Sequence, residues 1–439
     1  MNAHRRQLLS LAHPVYLSLL ASVASGIINT VWVSRLGAPA VAAVAVATNT
    51  ENVLLGVALV FASGTTVLVA HARGARDPGA VQAAVRGGRA LFALVTPAVV
   101  AAGVLLREPL ARLVLGGQDA TALHLATAYF AISLPGMAVF FAQQLVDGIL
   151  KGTGDTRTPM RLALLANGLI LLCDPVLIHL CGVRGAAACT VLCRGAALVA
   201  GLRALNRNTW LRRAAAAAPA ESVGAALRRT LRTGLPMSAD FTVRQGGALV
   251  LVAIVARLGV AAVAAYAIAY KVLYVATMAF YSVRQAAAIH TAHTRGAGHD
   301  RRREIGRQAV LVSGTLGLAA AALSAATAPW IMAAFGAGPA VAHQGVLFLR
   351  CVGPYLLLMA CFIALGGVFE GSGSASALLR VTLLGTAVQL ALARALSGVG
   401  LPGICLAMAL AMAVQSGAVA VLVRRGRRQE EAEVFVPAA

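Results

Sequence analysis

Three observations predict an all-α polytopic membrane protein, with twelve transmembrane helices in two parallel-repeat six-helix lobes. The first is composition. The chain of 439 residues is 59% hydrophobic and 12% charged, with a mean hydropathy of +0.81, where soluble domains are closer to half apolar and a quarter charged. The second is that the apolar runs are long enough to cross a ~30 Å hydrocarbon core and show no period-2 alternation. Lipid satisfies no backbone N–H or C=O group, so the spans must be helices. The third is an internal repeat. VSRLGAPAVAAVAVA (33–47) returns as VARLGVAAVAAYAIA (255–269), 222 positions later. Pro14 returns as Pro236, and the His71, Arg73, Gly74 and Ala75 set as His293, Arg295, Gly296 and Ala297, in the same register. The offset then slips to 219, where Pro135 meets Pro354 and Gly152-Thr153-Gly154 meets Gly371-Ser372-Gly373.

Taken in order, the spans fall near 9–34, 43–70, 90–107, 122–148, 161–181 and 184–205, then 231–256, 265–290, 308–329, 342–369, 378–397 and 400–423. These define an N-lobe (1–205), a linker (206–229), a C-lobe (230–424) and a tail (425–439). Six spans per half is an even number, so both halves enter from the same side and the repeats are parallel rather than inverted. Basic residues concentrate in alternate loops, among them Arg73, Arg76, Arg86 and Arg89, then Arg212, Arg213, Arg228 and Arg229, then Arg301, Arg302 and Arg303. The positive-inside rule therefore places both termini and the linker in the cytoplasm of a bacterial-type cell membrane. The same distribution turns the net charge of +22 away from a nucleic-acid partner. The N-terminus imitates a signal peptide, yet its pattern recurs at Pro236, so it is read as the first span. The linker reads as a surface helix interrupted by Pro219. The tail after Arg428 is short and acidic and is expected to lack order.

Seven cysteines all lie within apolar runs without a CxxC pair, as small packing residues do. His290, His293 and His299 suggest a metal, but His293 repeats His71 within a shared loop, which favours a structural motif. No P-loop, GxSxG, HExxH or CxxC pattern is present, so neither an enzyme nor a bound cofactor is expected.

Ionisable groups within spans are expensive and are functional candidates by default. Here they are Glu51, Asp147, Asp174, Arg194, Asp240, Arg244, Lys271, Arg284 and Arg350. Pro175 leaves the carbonyl of Leu171 without its helical donor beside the Asp174 carboxylate, a suitable place for a proton or Na⁺. Asp240 and Arg244, four apart, share one face and either neutralise each other or meet substrate. Asp147 and Lys151 form a similar pair that reads as structural. Glu51 and Lys271, near the starts of spans 2 and 8, which are equivalent in the repeat, either snorkel or pair across the lobe cleft. Asn29, Gln143, Asn167, Thr190 and Gln389 either line a cavity or bond between helices.

GTGDTRTP (152–159), with Arg35-Leu36-Gly37, Asp174-Pro175, Gly185-Ala186-Ala187 and HARGARD (71–77), resembles the MATE family, the multidrug and toxic compound extrusion transporters. The resemblance covers essentially the whole chain. It implies a V-shaped central cavity and export of organic, often cationic, compounds against inflowing H⁺ or Na⁺. An Asp of the family's first span is Asn29 here, and an Asn one turn before the span-5 Asp is Ile170. The resemblance therefore leaves the N-lobe cation site to Asp174, with Asn29 and Thr190 as neutral partners. The NorM-like branch has a Glu in span 7, where Arg244 stands, and an Asp in span 10, where none occurs; a C-lobe cation site of that type is not expected. The substrate cavity is expected to use Asp240, Arg244, Gln143, Glu51, Lys271 and Arg284.

The leading expectation is a cation-coupled exporter of small organic compounds, probed first at Asp174, embedded in the lipid bilayer as a monomer. A lipid-linked saccharide flippase of the same superfamily and a non-transporting scaffold or receptor stand as alternatives; Arg194, Arg244, Arg284 and Arg350, if they converge, favour the flippase or an anionic product.

Overall fold

The computed structural model describes residues 3–115 and 120–434. Every regular element among them is helical: α1 (Ala3–Ser34), α2 (Ala38–Gly74), α3 (Pro78–Leu115), α4 (Ala120–Gly152), α5 (Arg157–Arg207), α6 (Thr209–Ala216), α7 (Val223–Ala256), α8 (Val260–Gly296), α9 (Arg302–Ala334), α10 (Pro339–Cys351), α11 (Gly353–Gly371), α12 (Ala375–Ala395) and α13 (Leu401–Val434), with a 3₁₀ turn at Leu396–Val399.

Eleven of these are long and apolar enough to cross a membrane. The 51-residue α5 contains two crossings, because Gly182 (φ 57°, ψ −136°) breaks it; a side chain is disfavoured in that left-handed region. Twelve crossings result, at the positions expected. One differs in form. The single span expected at 342–369 is two helices, α10 and α11, parted at Val352. Pro354 supplies no N–H to the Arg350 carbonyl, so the first turn of a new helix is the cheapest place for it. Two boundaries also move. The linker holds the surface helix α6, capped by Asn208 Oδ1, which accepts from the backbone N–H groups of Trp210 (3.1 Å) and Leu211 (3.2 Å), but α7 already begins at Val223. The tail, expected to lack order, continues α13 through Val434, its Arg-Gln-Glu-Glu-Ala sequence consisting of good helix formers. Residues 435–439 lie outside the described residues.

The chain forms two compact units. One comprises residues 10–238 and 289–300, the other residues 1–9, 239–288 and 301–439. In the first, Phe61 meets Phe92 and Phe141 edge-on, with centroids 5.8 and 5.6 Å away. In the second, Tyr266 meets Phe348 edge-on at 5.4 Å.

Backbones in both units touch where side chains are missing. A Cβ on Gly148 of α4 would stand 2.7 Å from the Ala62 carbonyl oxygen of α2. A Cβ on Gly367 of α11 would strike the Arg284 carbonyl of α8. Gly367 stands 219 residues after Gly148 and Arg284 stands 222 after Ala62, so this is one crossing made twice. Within the first unit, Gly74 lies against the His293 carbonyl and Gly296 against that of His71, so the two His-x-Arg-Gly copies pack on each other reciprocally. That assigns His71 and His293 a helix-packing setting. The GTGDTRTP segment is likewise a joint. Gly154 turns with φ 80°, Asp155 Oδ1 accepts the Thr158 N–H at 3.0 Å, and Thr158 Oγ1 donates to Asp155 Oδ2 at 2.6 Å, an N-terminal cap for α5.

A Gly74→Val exchange forces this crossing apart and should lower stability by about 1–3 kcal/mol. Gly168→Val, where a Cβ meets nothing within 4 Å, should be far milder. Thermal unfolding of the two purified variants checks the difference.

Candidate functional site

Each unit buries a polar cluster. In the first, α5 presents Asp174, which is fully buried, and α1 presents Asn29. Asn29 Nδ2 donates to Asp174 Oδ2 at 2.8 Å, while Asp174 Oδ1 has no hydrogen-bond partner. One turn earlier, Ile170 packs with Cys189 and Cys193, and the Cys189 thiol lies beside the carboxylate. The carboxylate is thus capped on one oxygen by a neutral amide and open on the other.

Beside it lies a small cavity lined by Glu51, Tyr129, Ser133, Thr190 and Arg194. Glu51 Oε2 stands 4.0 Å from Arg194 Nη1, and Arg194 lies 4.8 Å over the Phe140 ring. Tyr129 lines this cavity and is within electrostatic range of Glu51, Arg194 and Asp174. The Thr190 hydroxyl donates to the Ala186 carbonyl of its own helix (3.1 Å). Thr190 therefore lines the cavity, and its hydroxyl is spent on its own backbone rather than on Asp174.

In the second unit Asp240 and Arg244 do form the i,i+4 ion pair, but they are half of a larger network. Asp240 Oδ2 also accepts from Arg284 Nη2 at 2.7 Å, and Asp240 Oδ1 accepts from Thr382 Oγ1 at 2.6 Å. Glu370 Oε1 accepts from Arg284 Nε at 3.1 Å and from Nη2 at 2.6 Å. Asp240, Arg284 and Glu370 are all buried. Four helices, α7, α8, α11 and α12, thus converge on two carboxylates and two guanidinium groups whose charges cancel. Each buried charge is tolerated because its counter-charge is hydrogen-bonded to it.

Sequence alone does not single out Glu370. It stands one residue past the expected end of its span, and its register partner 219 positions earlier is Lys151. That replacement of a base by an acid at matching positions is the available signal. Among the other candidates, Gln143 is buried on α4, Lys271 sits 5.8 Å over the Phe335 ring, and Asn167 Nδ2 reaches Ser22 Oγ at 3.4 Å. Arg244 and Arg284 meet at Asp240. Arg194 pairs with Glu51 in its own unit, and Arg350 is exposed.

The repeat shows how the clusters diverged. In register, Asp240, Arg244 and Arg284 correspond to Ser18, Ser22 and Ala62, and Thr382 to Ala163. Conversely Asn29 and Asp174 correspond to Leu251 and Ala393, both buried in the second unit. At these positions each half carries charged or polar groups where the other is neutral or apolar.

A duplicated, twelve-crossing helical chain with buried charges in both halves has the architecture of a secondary transporter. Comparison makes the assignment specific. The MatE family model matches residues 14–176 and 236–394, one match per repeat, and the chain belongs to that family. It is 25% identical over 253 residues to the probable multidrug resistance protein YpnP of Bacillus subtilis, covering 57% of this chain and just over half (56%) of that relative. It is 24% identical over 382 residues to the probable multidrug resistance protein NorM of Thermotoga maritima, covering 84% of this chain and 80% of that one. A crystal structure of MATE in complex with MaL6 superposes with a TM-score of 0.87 at 21% identity, covering 98% of this chain and 97% of that chain. A MOP superfamily transporter from Pyrococcus furiosus does so with 0.87 at 21%, covering 99% and 98%.

Glu370→Gln removes a counter-charge from Arg284 and should destabilise the protein by about 3–5 kcal/mol. Glu304→Gln, which breaks an exposed pair with His4, should have little effect. Melting temperatures of the purified variants, measured side by side, check this.

Proposed function

We propose that the protein is a secondary active exporter of small organic compounds that works by alternating access, coupled to inward H⁺ or Na⁺ through Asp174. The observation behind this reading is Asp174 itself, a fully buried carboxylate with one oxygen on Asn29 and the other without a partner. A buried carboxylate oxygen without a partner is costly, and an incoming proton or cation would offset that cost. Membership of a family whose relatives are named multidrug resistance proteins agrees with it. An inward charge gains ~2.3 kcal/mol per 100 mV, enough for a modest substrate gradient. In the cycle, cation capture at Asp174 from outside weakens substrate binding, and release inside resets the carrier. Asn29 orients the carboxylate as a neutral hydrogen-bond donor without competing for the cation.

The flippase reading loses ground, because Arg194, Arg244 and Arg284 each have a carboxylate partner and form no broad basic surface. Both termini and the linker are assigned to the cytoplasm.

In proteoliposomes, fluorescent organic probes should move against a gradient when a pH or Na⁺ gradient is imposed. Asp174→Asn should abolish gradient-driven movement while leaving downhill exchange. Gradient-driven export that survives in Asp174→Asn rules out this coupling site. For the orientation, a single cysteine at Ala218 in a background lacking the seven native cysteines should react with an impermeant maleimide only in inside-out vesicles, and one at Gly338 only in right-side-out cells.

A further inference from the structure

We propose that the Arg244 edge of the buried network in the second unit recognises planar organic anions. A carboxylate or phosphate oxygen would take its free N–H groups, and the attached ring system would lie on the tyrosines of α8 and α11.

The argument begins with acceptors. Asp240 shares Oδ2 between Arg244 and Arg284 and commits Oδ1 to Thr382, while Glu370 Oε1 is taken twice by Arg284. A guanidinium has five N–H donors. Arg244 is held through Nη2, and its Nε and Nη1 have no partner; Nη1 of Arg284 has none either. Buried native donors are almost always paired, so three such nitrogens in one cluster call for an acceptor that comes and goes. Because both Asp240 oxygens are occupied, this edge offers donors and no free carboxylate oxygen of Asp240. That polarity favours an anion over a cation. The Arg244 side chain is 20% exposed against 6% for Arg284, although its free Nε and Nη1 atoms are themselves covered in this structure, so a ligand reaches them only as the edge opens.

Aromatic rings supply the rest. The Tyr281 ring stands 5.8 Å from the Arg244 guanidinium carbon and 5.9 Å from that of Arg284. Tyr274 and Tyr270 precede Tyr281 by seven and eleven residues, spacings that share one helical face, and they are 43% and 40% exposed. Tyr355 of α11 is within electrostatic range of Arg244, Tyr270 and Tyr281. Four of the chain's seven tyrosines therefore gather on the side of Arg244. Their faces suit a flat ring, and their hydroxyls suit further acceptor oxygens. In the first repeat the residues in register with Arg244, Arg284 and Tyr281 are Ser22, Ala62 and Leu59, so this feature belongs to one half alone.

As a substrate site this rests on the exporter reading, but binding is measurable without transport. Isothermal titration of the purified full-length protein with 2-naphthoate, 2-naphthamide and 2-naphthylmethylammonium separates charge from shape. The carboxylate should bind at least about tenfold more tightly than the other two, the size of one charge-assisted hydrogen bond. Arg244→Gln should remove that preference and leave the amide's affinity unchanged, and Arg244→Lys should retain part of it. Melting curves identify a variant that fails to fold, in which case the wild-type preference and Arg244→Lys decide. Equal or tighter binding of the ammonium probe, or carboxylate binding indifferent to Arg244→Gln, overturns the proposal. Export of the ammonium probe without carboxylate preference would do so while leaving the exporter reading intact. Carboxylate selectivity with no gradient-driven movement of any probe would do the reverse.

Discussion

Helices in lipid gain little by hiding apolar surface from an equally apolar solvent, so close backbone approach has to hold a bundle together. That constraint explains why glycine stands at the crossings here. Gly148 on Ala62 and Gly367 on Arg284 are the same contact in two repeats, and the His-x-Arg-Gly copies close on each other through Gly74 and Gly296. Once backbones are this near, a single long side chain at the crossing reaches several helices. Arg284 leaves the Gly367 crossing and meets carboxylates from both α7 and α11.

Tight crossings thus create the conditions for buried charge. At the equivalent crossing of the first unit the residue is Ala62, which has no polar group to offer. In that unit the fully buried Asp174 on α5 is partnered by an amide rather than a cation. The two clusters obey different electrostatics. The first is a carboxylate without a counter-charge in hydrogen-bonding contact, one of its oxygens left without a partner. The second is balanced, two charges against two, and rigid at its centre, with unused donors only at its edge.

Much of the fold is legible because lipid imposes one rule on every span. Apolar runs, alternating basic loops and the 222-residue register locate twelve crossings, and the breaks at Gly182 and Val352 change their form without changing their number. Site residues are legible where a local pattern marks them. Asp174-Pro175 and the Asp240–Arg244 spacing are such patterns, whereas the meeting of Arg244 with Arg284, Glu370 and Thr382 depends on four helices separated by as many as 142 residues. Tyr129 goes unmarked for a similar reason. An aromatic residue in an apolar span looks like core, and only packing shows that it lines the cavity of the Glu51–Arg194 pair.

The exchange of polar for apolar residues between register positions has a consequence for the duplication itself. Leu251 and Ala393 fill with hydrocarbon the places where the first half keeps Asn29 and Asp174, and Ser18, Ala62 and Ala163 offer nothing to balance an arginine. A protein assembled from two copies of either half would therefore hold two amide-capped carboxylates and no guanidinium cluster, or the opposite. The halves have become complementary parts, and the single covalent chain, which fixes their ratio at one to one, is what keeps both chemistries in every molecule.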